Sequence, residues 1–216
     1  MGQVRIKICG VTTVADGCQA ARLGADAVGL NFYERSPRYV LPESARTILR
    51  ALPPFVQPVG LFVEQPLRQA FQALQELGPI RTVQWHGEQP EVCDPFPFQV
   101  IPAFRVRDRQ SLLAINRHLD ACRDRGCLPA AILVDAHVPG QYGGTGQTIP
   151  WDVLADFRPA VPFILAGGLT PENVAEAIRI VRPFGVDVAS GVEASPGRKD
   201  ADKMRRFMEN VRRSEG

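Results

Sequence analysis

No run of this chain is apolar for long enough to cross a bilayer, which takes about 20 residues, so no membrane segment is expected. Charge of either sign is not in excess. A net charge of +2, with no basic cluster interleaved with stacking aromatics, argues against nucleic acid as a partner. Histidine is scarce. The three present, His86, His118 and His137, are not spaced as ligands, and no metal is expected. The five cysteines, at 9, 18, 93, 122 and 127, are odd in number and scattered, which excludes a disulfide framework. Cys122 and Cys127 have no second Cys or His pair to complete a zinc site. The N-terminus enters a strand pattern directly, without a charged-then-apolar leader, so a cytoplasmic location is expected.

The composition that remains is that of a soluble globular enzyme, 45% hydrophobic and 22% charged. The chain is organised around Val4-Arg5-Ile6-Lys7-Ile8-Cys9-Gly10. Apolar and charged residues alternate there with a period of two, so Val4, Ile6 and Ile8 share one face of a strand and Arg5, Lys7 and Cys9 the other. A basic face ending in cysteine fits poorly against a helix layer. It fits the inside of a parallel barrel, whose active site lies at the C-terminal ends of its strands.

Seven further strand patterns follow, near 25–32, 56–63, 81–86, 98–104, 130–135, 163–168 and 186–191. Helical patterns separate most of them. One is capped by Thr12 or Thr13 and ended by Gly24, and others begin at Pro42, Pro66 and Asp108. Further helices are expected near 151–157, from Thr170-Pro171-Glu172, and over 200–212, with a turn or two of helix at most in 88–97. Eight strand–helix units without a break in composition predict an α/β fold, a single (β/α)8 TIM barrel over residues 1–216. A doubly wound open sheet is the other architecture built from such units.

Several residues stand where a barrel does chemistry. Cys9 ends the first strand on its polar face, where the positive charge of Lys7 would favour a thiolate acting as nucleophile or base. Asp135 ends the sixth strand after five apolar residues, too far from the next helix to cap it. In an eight-stranded ring the two lie nearly opposite, an acid and a base with room for a sugar between them. Gly143-Gly144-Thr145-Gly146, Ala166-Gly167-Gly168 and Ala189-Ser190-Gly191 are glycine-bearing ends. Loops after strands seven and eight form the recurrent phosphate site of these barrels, with backbone N–H groups approaching the anion. Lys7 and Asp187 fall on inward faces of adjacent strands and are expected to pair. His86, on the same face as Gln84, is placed either to orient a loop or to touch substrate, and Arg35 and Arg38 flank Ser36-Pro37.

Together, Lys7-Ile8-Cys9-Gly10, Asn31-Phe32-Tyr33 with Ser36-Pro37-Arg38-Tyr39, Val83-Gln84-Trp85-His86-Gly87, Leu133-Val134-Asp135, Gly143-Gly144-Thr145-Gly146, Ala166-Gly167-Gly168-Leu169 and Val186-Asp187-Val188-Ala189-Ser190-Gly191-Val192-Glu193 resemble the phosphoribosylanthranilate isomerase family of tryptophan biosynthesis. The match runs in order from about residue 4 to about residue 210. The resemblance implies an Amadori rearrangement of an aminated phosphosugar without a cofactor, since the substrate nitrogen serves as electron sink. It implies Asp135 as general acid, Cys9 as general base and Arg38 as holder of the anthranilate carboxylate. His86, Gly144, Gly167, Gly168, Ser190 and Gly191 would line the substrate site. The partner implied is a small phosphosugar, and the chain would be a monomer or homodimer. Two stretches depart from the family: Ile149-Pro150-Trp151-Asp152, where relatives often carry Phe-Asp-Trp, and a longer 108–127 segment. The related isomerase of histidine biosynthesis would carry aspartate in place of Cys9, and a non-catalytic phosphosugar-binding barrel would need neither Cys9 nor Asp135.

Overall fold

The computed structural model describes residues 2–87, 98–136 and 151–214. Eight parallel strands close into a barrel in chain order: β1 (Arg5–Ile8), β2 (Ala27–Asn31), β3 (Gln57–Val63), β4 (Thr82–His86), β5 (Gln99–Arg105), β6 (Ile132–Asp135), β7 (Phe163–Ala166) and β8 (Gly185–Val188). The ring shuts where β1 pairs with β8, Lys7 opposite Asp187 and Ile8 opposite Val188. The expected 88–97 turn and the 140–146 loop lie outside the described residues.

The helices are α1 (Val14–Leu23), α2 (Pro42–Ala51), α3 (Leu67–Leu77), α4 (Arg109–Asp124), α5 (Val174–Val181) and α6 (Ala201–Arg213). Their ends follow from side-chain chemistry. The Thr13 hydroxyl accepts from the Asp16 N–H, and Asp108 and Asp200 do the same for Ser111 and Lys203. Gly24 stops α1 at φ 98°, which only glycine adopts without strain. The apolar stripes of these helices face outward-pointing strand residues such as Ile6, Ile8, Val28 and Leu30, forming the large core.

Inside the ring the two sides differ. Ile101, Ala131, Leu133 and Ala166, with Ala103 and Ile164 against them, make a small apolar cluster on β5–β7 and the residue before β6. Lys7, Thr82, Gln84 and Asp187, from β1, β4 and β8, are buried polar residues. One side of the interior is packed like a core and the other is wired by charge.

The structure departs from sequence expectation in three places. The helix expected near 151–157 is a single 3-10 turn, Trp151–Val153, followed by turns. Trp151, Leu154 and Phe157 are buried at intervals of three, the period of a 3-10 turn and not of an α-helix. Regular helix after β7 begins at Val174, not Thr170. The Asn173 side chain accepts from the Thr170 N–H at 2.8 Å and donates to the Gly168 carbonyl at 2.9 Å, winding the intervening residues into a turn. Finally, a small hairpin, β9 (Glu193–Ser195) with β10 (Arg198–Lys199), follows a 3-10 turn at Ser190–Val192. It packs back on the barrel mouth, where the Thr12 hydroxyl donates to the Gly197 carbonyl.

Candidate active site

Because all eight strands run parallel in a closed ring, their C-terminal ends share one rim. Cys9, His86, Asp135, Gly168 and Ser190 all stand at or just beyond those ends. Cys9 continues the ladder beyond β1, donating its N–H to the Val188 carbonyl at 2.8 Å. Gly10 then turns the chain at φ 70°. Space for the thiol comes from Gly29 of β2, where an added Cβ would sit 2.9 Å from Cys9 Sγ and 3.0 Å from Lys7 Nζ.

Lys7 and Asp187 form the expected buried pair, Nζ to Oδ1 at 2.9 Å. Burial opposes the lysine charge, but Asp187 and the neighbouring Cys9 outweigh it and hold the Lys7 pKa above its usual value. Lys7 favours the Cys9 thiolate, as expected, but is outweighed. Burial of Cys9, followed by the negative charge of Asp187, pushes the thiol up against the opposing effect of Lys7. The free protein therefore holds Cys9 mainly as the thiol at neutral pH.

Asp135 is half-buried at the end of β6, in register with Ala166 of β7 and Arg105 of β5. His86 ends β4 beside Val63 and Ala103. Burial, aided by the charge of Lys7, lowers its pKa to about 4. The Gln84 side-chain amide lies 2.8 Å from ring Nε2, a hydrogen bond to the neutral ring.

Arg38 stands on the loop after β2, which Asn31 and Ser36 brace. Asn31 donates to the Ser36 hydroxyl at 3.0 Å, and that hydroxyl accepts from the Arg38 N–H at 3.1 Å. The Arg38 stem crosses Gly10 so closely that an added Cβ would lie 2.5 Å from Cδ. Arg35 is exposed. Two residues given no role by sequence reasoning complete this corner. The Glu193 carboxylate accepts from Arg38 Nε at 2.8 Å and Nη2 at 2.7 Å, and from Lys199 Nζ at 2.9 Å. Burial opposes its charge, yet the two cations hold its pKa below the ordinary value. Burial also depresses Lys199, with Glu193 resisting. Glu193 closes the Val186–Glu193 motif, the only sequence signal it carries.

At the candidate phosphate site, Gly167 and Gly168 take φ 91° and 65° in succession. Ser190 and Gly168 are exposed, Gly167 and Gly191 half-buried. The two loops touch, since an added Cβ on Gly191 would fall on the Leu169 carbonyl oxygen. Gly144, the remaining expected binding residue, lies outside the described residues.

Residues 6–210 match the family model described as N-(5'phosphoribosyl)anthranilate (PRA) isomerase. A relative from Geobacter sulfurreducens, named N-(5'-phosphoribosyl)anthranilate isomerase, is 47% identical over 214 residues, covering 99% of each chain. The crystal structure of phosphoribosyl anthranilate isomerase from Thermotoga maritima superposes with a TM-score of 0.85 at 40% identity, over 97% of this chain and 99% of that one. A second solved structure, an isomerase in complex with reduced 1-(o-carboxyphenylamino)-1-deoxyribulose 5-phosphate, gives 0.81 at 37% identity over the same shares.

Proposed function

The chain belongs to the N-(5'-phosphoribosyl)anthranilate isomerase family, and from that membership we propose that it converts N-(5'-phosphoribosyl)anthranilate into 1-(2-carboxyphenylamino)-1-deoxyribulose 5-phosphate in tryptophan biosynthesis. The carrying observation is that, in a chain like these isomerases over its full length, Cys9 and Asp135 stand on one rim of a closed barrel. Asp135, as general acid, protonates the furanose ring oxygen, and the ring C–O bond breaks to leave a Schiff base. Cys9, as general base, takes the C2 proton. The electron pair flows to the nitrogen, and the resulting enolamine tautomerises to the ketone. Oxidation at C2 balances reduction at C1, so the reaction needs no external electron carrier.

Arg38 holds the anthranilate carboxylate, a task suited to its planar fork. The substrate phosphate docks on backbone N–H groups of Gly167-Gly168 and Ser190-Gly191, where the contact of the two loops keeps the cradle narrow. Gly144 lines the same ligand. His86, a neutral ring, borders the sugar as a hydrogen-bonding group and not as a cation. Among the described residues no helix is long and apolar enough to cross a membrane. The reading is tested by following substrate fluorescence as purified protein consumes phosphoribosylanthranilate. Turnover is expected. Consumption no faster than that by a folded Cys9→Ala, Asp135→Asn double variant would overturn it.

A further inference from the structure

Glu193 is a buried carboxylate that the proton transfers do not use, on a hairpin beside the base. Its oxygens are committed. Arg38 takes both through Nε and Nη2, Lys199 takes Oε1, and the Gly197 N–H approaches the same oxygen at 3.4 Å. Lys203 donates to the Glu193 main-chain carbonyl at 2.8 Å, anchoring the hairpin to α6. The Lys199 side chain is wholly buried, and its Nζ also donates at 3.0 Å to the carbonyl of Ala189, the residue before Ser190-Gly191.

A guanidinium offers two edges on which a carboxylate can dock with paired hydrogen bonds, Nε/Nη2 and Nη1/Nη2. Glu193 occupies the first. The second edge of the same plane is thereby the docking edge for another carboxylate. A surface arginine would sample many rotamers before meeting such a ligand, whereas Arg38 is clamped at one edge, with its stem lying over Gly10. Lys199 has a separate effect. Arg38 and Glu193 alone would cancel, and the second cation leaves the cluster with a net positive charge toward an anionic ligand.

We infer that Glu193, held by Lys199, is the positioning residue that gives this enzyme its selectivity for a carboxylated aryl amine, by fixing the Nη1/Nη2 edge of Arg38 toward the substrate carboxylate. The inference rests on the reading of Arg38 given above. Through the Lys199 bond to Ala189, the carboxylate clamp and the start of the phosphate loop share one buried ion cluster.

The test compares two stable product analogues by calorimetry: reduced carboxyphenylamino-deoxyribulose phosphate and the same molecule lacking the carboxylate. Wild type should bind the carboxylated ligand at least tenfold more tightly. Glu193→Gln should shrink that preference to about threefold or less while leaving affinity for the ligand without the carboxylate within about twofold. Arg38→Ala should abolish the preference, and adding Glu193→Gln to it should change nothing more. If Glu193→Gln fails to fold around an unpaired Lys199, the Glu193→Gln, Lys199→Met double variant, which leaves no unpaired lysine charge buried, carries the same expectation for the ratio of the two affinities. A Glu193 variant that keeps the full preference, or weakens both ligands equally, overturns the inference. An undiminished preference in Arg38→Ala overturns instead the assignment of Arg38, and absence of binding by wild type overturns the proposed substrate.

Discussion

In the proposed reaction, Cys9 and Asp135 are each needed in the protonation state that neutral water disfavours. A carboxyl group of ordinary pKa, about 3.9, is ionised at neutral pH, yet the ring-opening step asks Asp135 for a proton. The base step asks Cys9 for a thiolate, and burial with Asp187 nearby keeps its thiol protonated. When acid and base must both be in their minor forms, the thiolate fraction rises with pH as the acid fraction falls, and the two trends oppose each other. Removing one group exposes the titration of the other. Asp135→Asn and Cys9→Ala should each lower kcat at least about a hundredfold with KM changing much less, and Cys9→Ser should nearly match alanine. In Asp135→Asn only the base still titrates, so its residual kcat/KM should climb with pH through the neutral range, approaching about tenfold per unit. A flat profile from about pH 6 to 8.5 in that variant, with chemistry limiting, removes Cys9 as the base.

At the scale of elements, the loops after β7 and β8 work as one unit, and Gly191 is where they meet. Sequence reasoning makes Gly191 a place for close phosphate approach, so that valine there would raise KM and spare the fold. The Leu169 carbonyl corrects this, because a Cβ at 191 falls on main chain that cannot swing aside. Gly191→Ala should therefore raise KM at least about tenfold and also cost roughly 1–3 kcal/mol of stability, as overpacking does. Urea unfolding and steady-state kinetics check both, and a variant unchanged in either breaks the link between the two loops. The strands themselves were legible, since each reads as a short run of alternating or continuous apolar residues. The β9–β10 hairpin was not, because pairs of two or three residues are too short to show a period. Nor was the role of Glu193, whose partner Arg38 lies 155 positions away. The direction of the Cys9 shift was hidden as well: Lys7 was visible beside it, but burial, the main cause, and the opposing charge of Asp187 act on the thiol only once the barrel has closed.

The whole molecule carries a cost for building its site on the polar side of a barrel interior. Lys7, Asp187, Gln84 and His86 are packed into the same ring that Ile101 and Leu133 fill on the other side. Folding there requires His86 to remain neutral. Its pKa falls from 6.5 when unfolded to about 4 in the barrel, with burial the main cause and Lys7 the second. The unfolded chain thus binds a proton at higher pH than the native one. Stability is fully present above about pH 6.5 and is lost as pH falls toward about 4. Between pH 7.5 and 5 this one side chain should remove about 2 kcal/mol. His118, also lowered by burial, adds to the same window, so the contribution is isolated only by comparison. Glu193, whose folded pKa lies below its ordinary 4.5, acts at more acid pH and leaves that window largely to the histidines. Urea midpoints of wild type and His86→Gln, taken at each pH, should converge as the solution is acidified, the glutamine variant losing about 2 kcal/mol less over that range. Parallel curves would mean that His86 takes up its proton as readily in the barrel as in the unfolded chain.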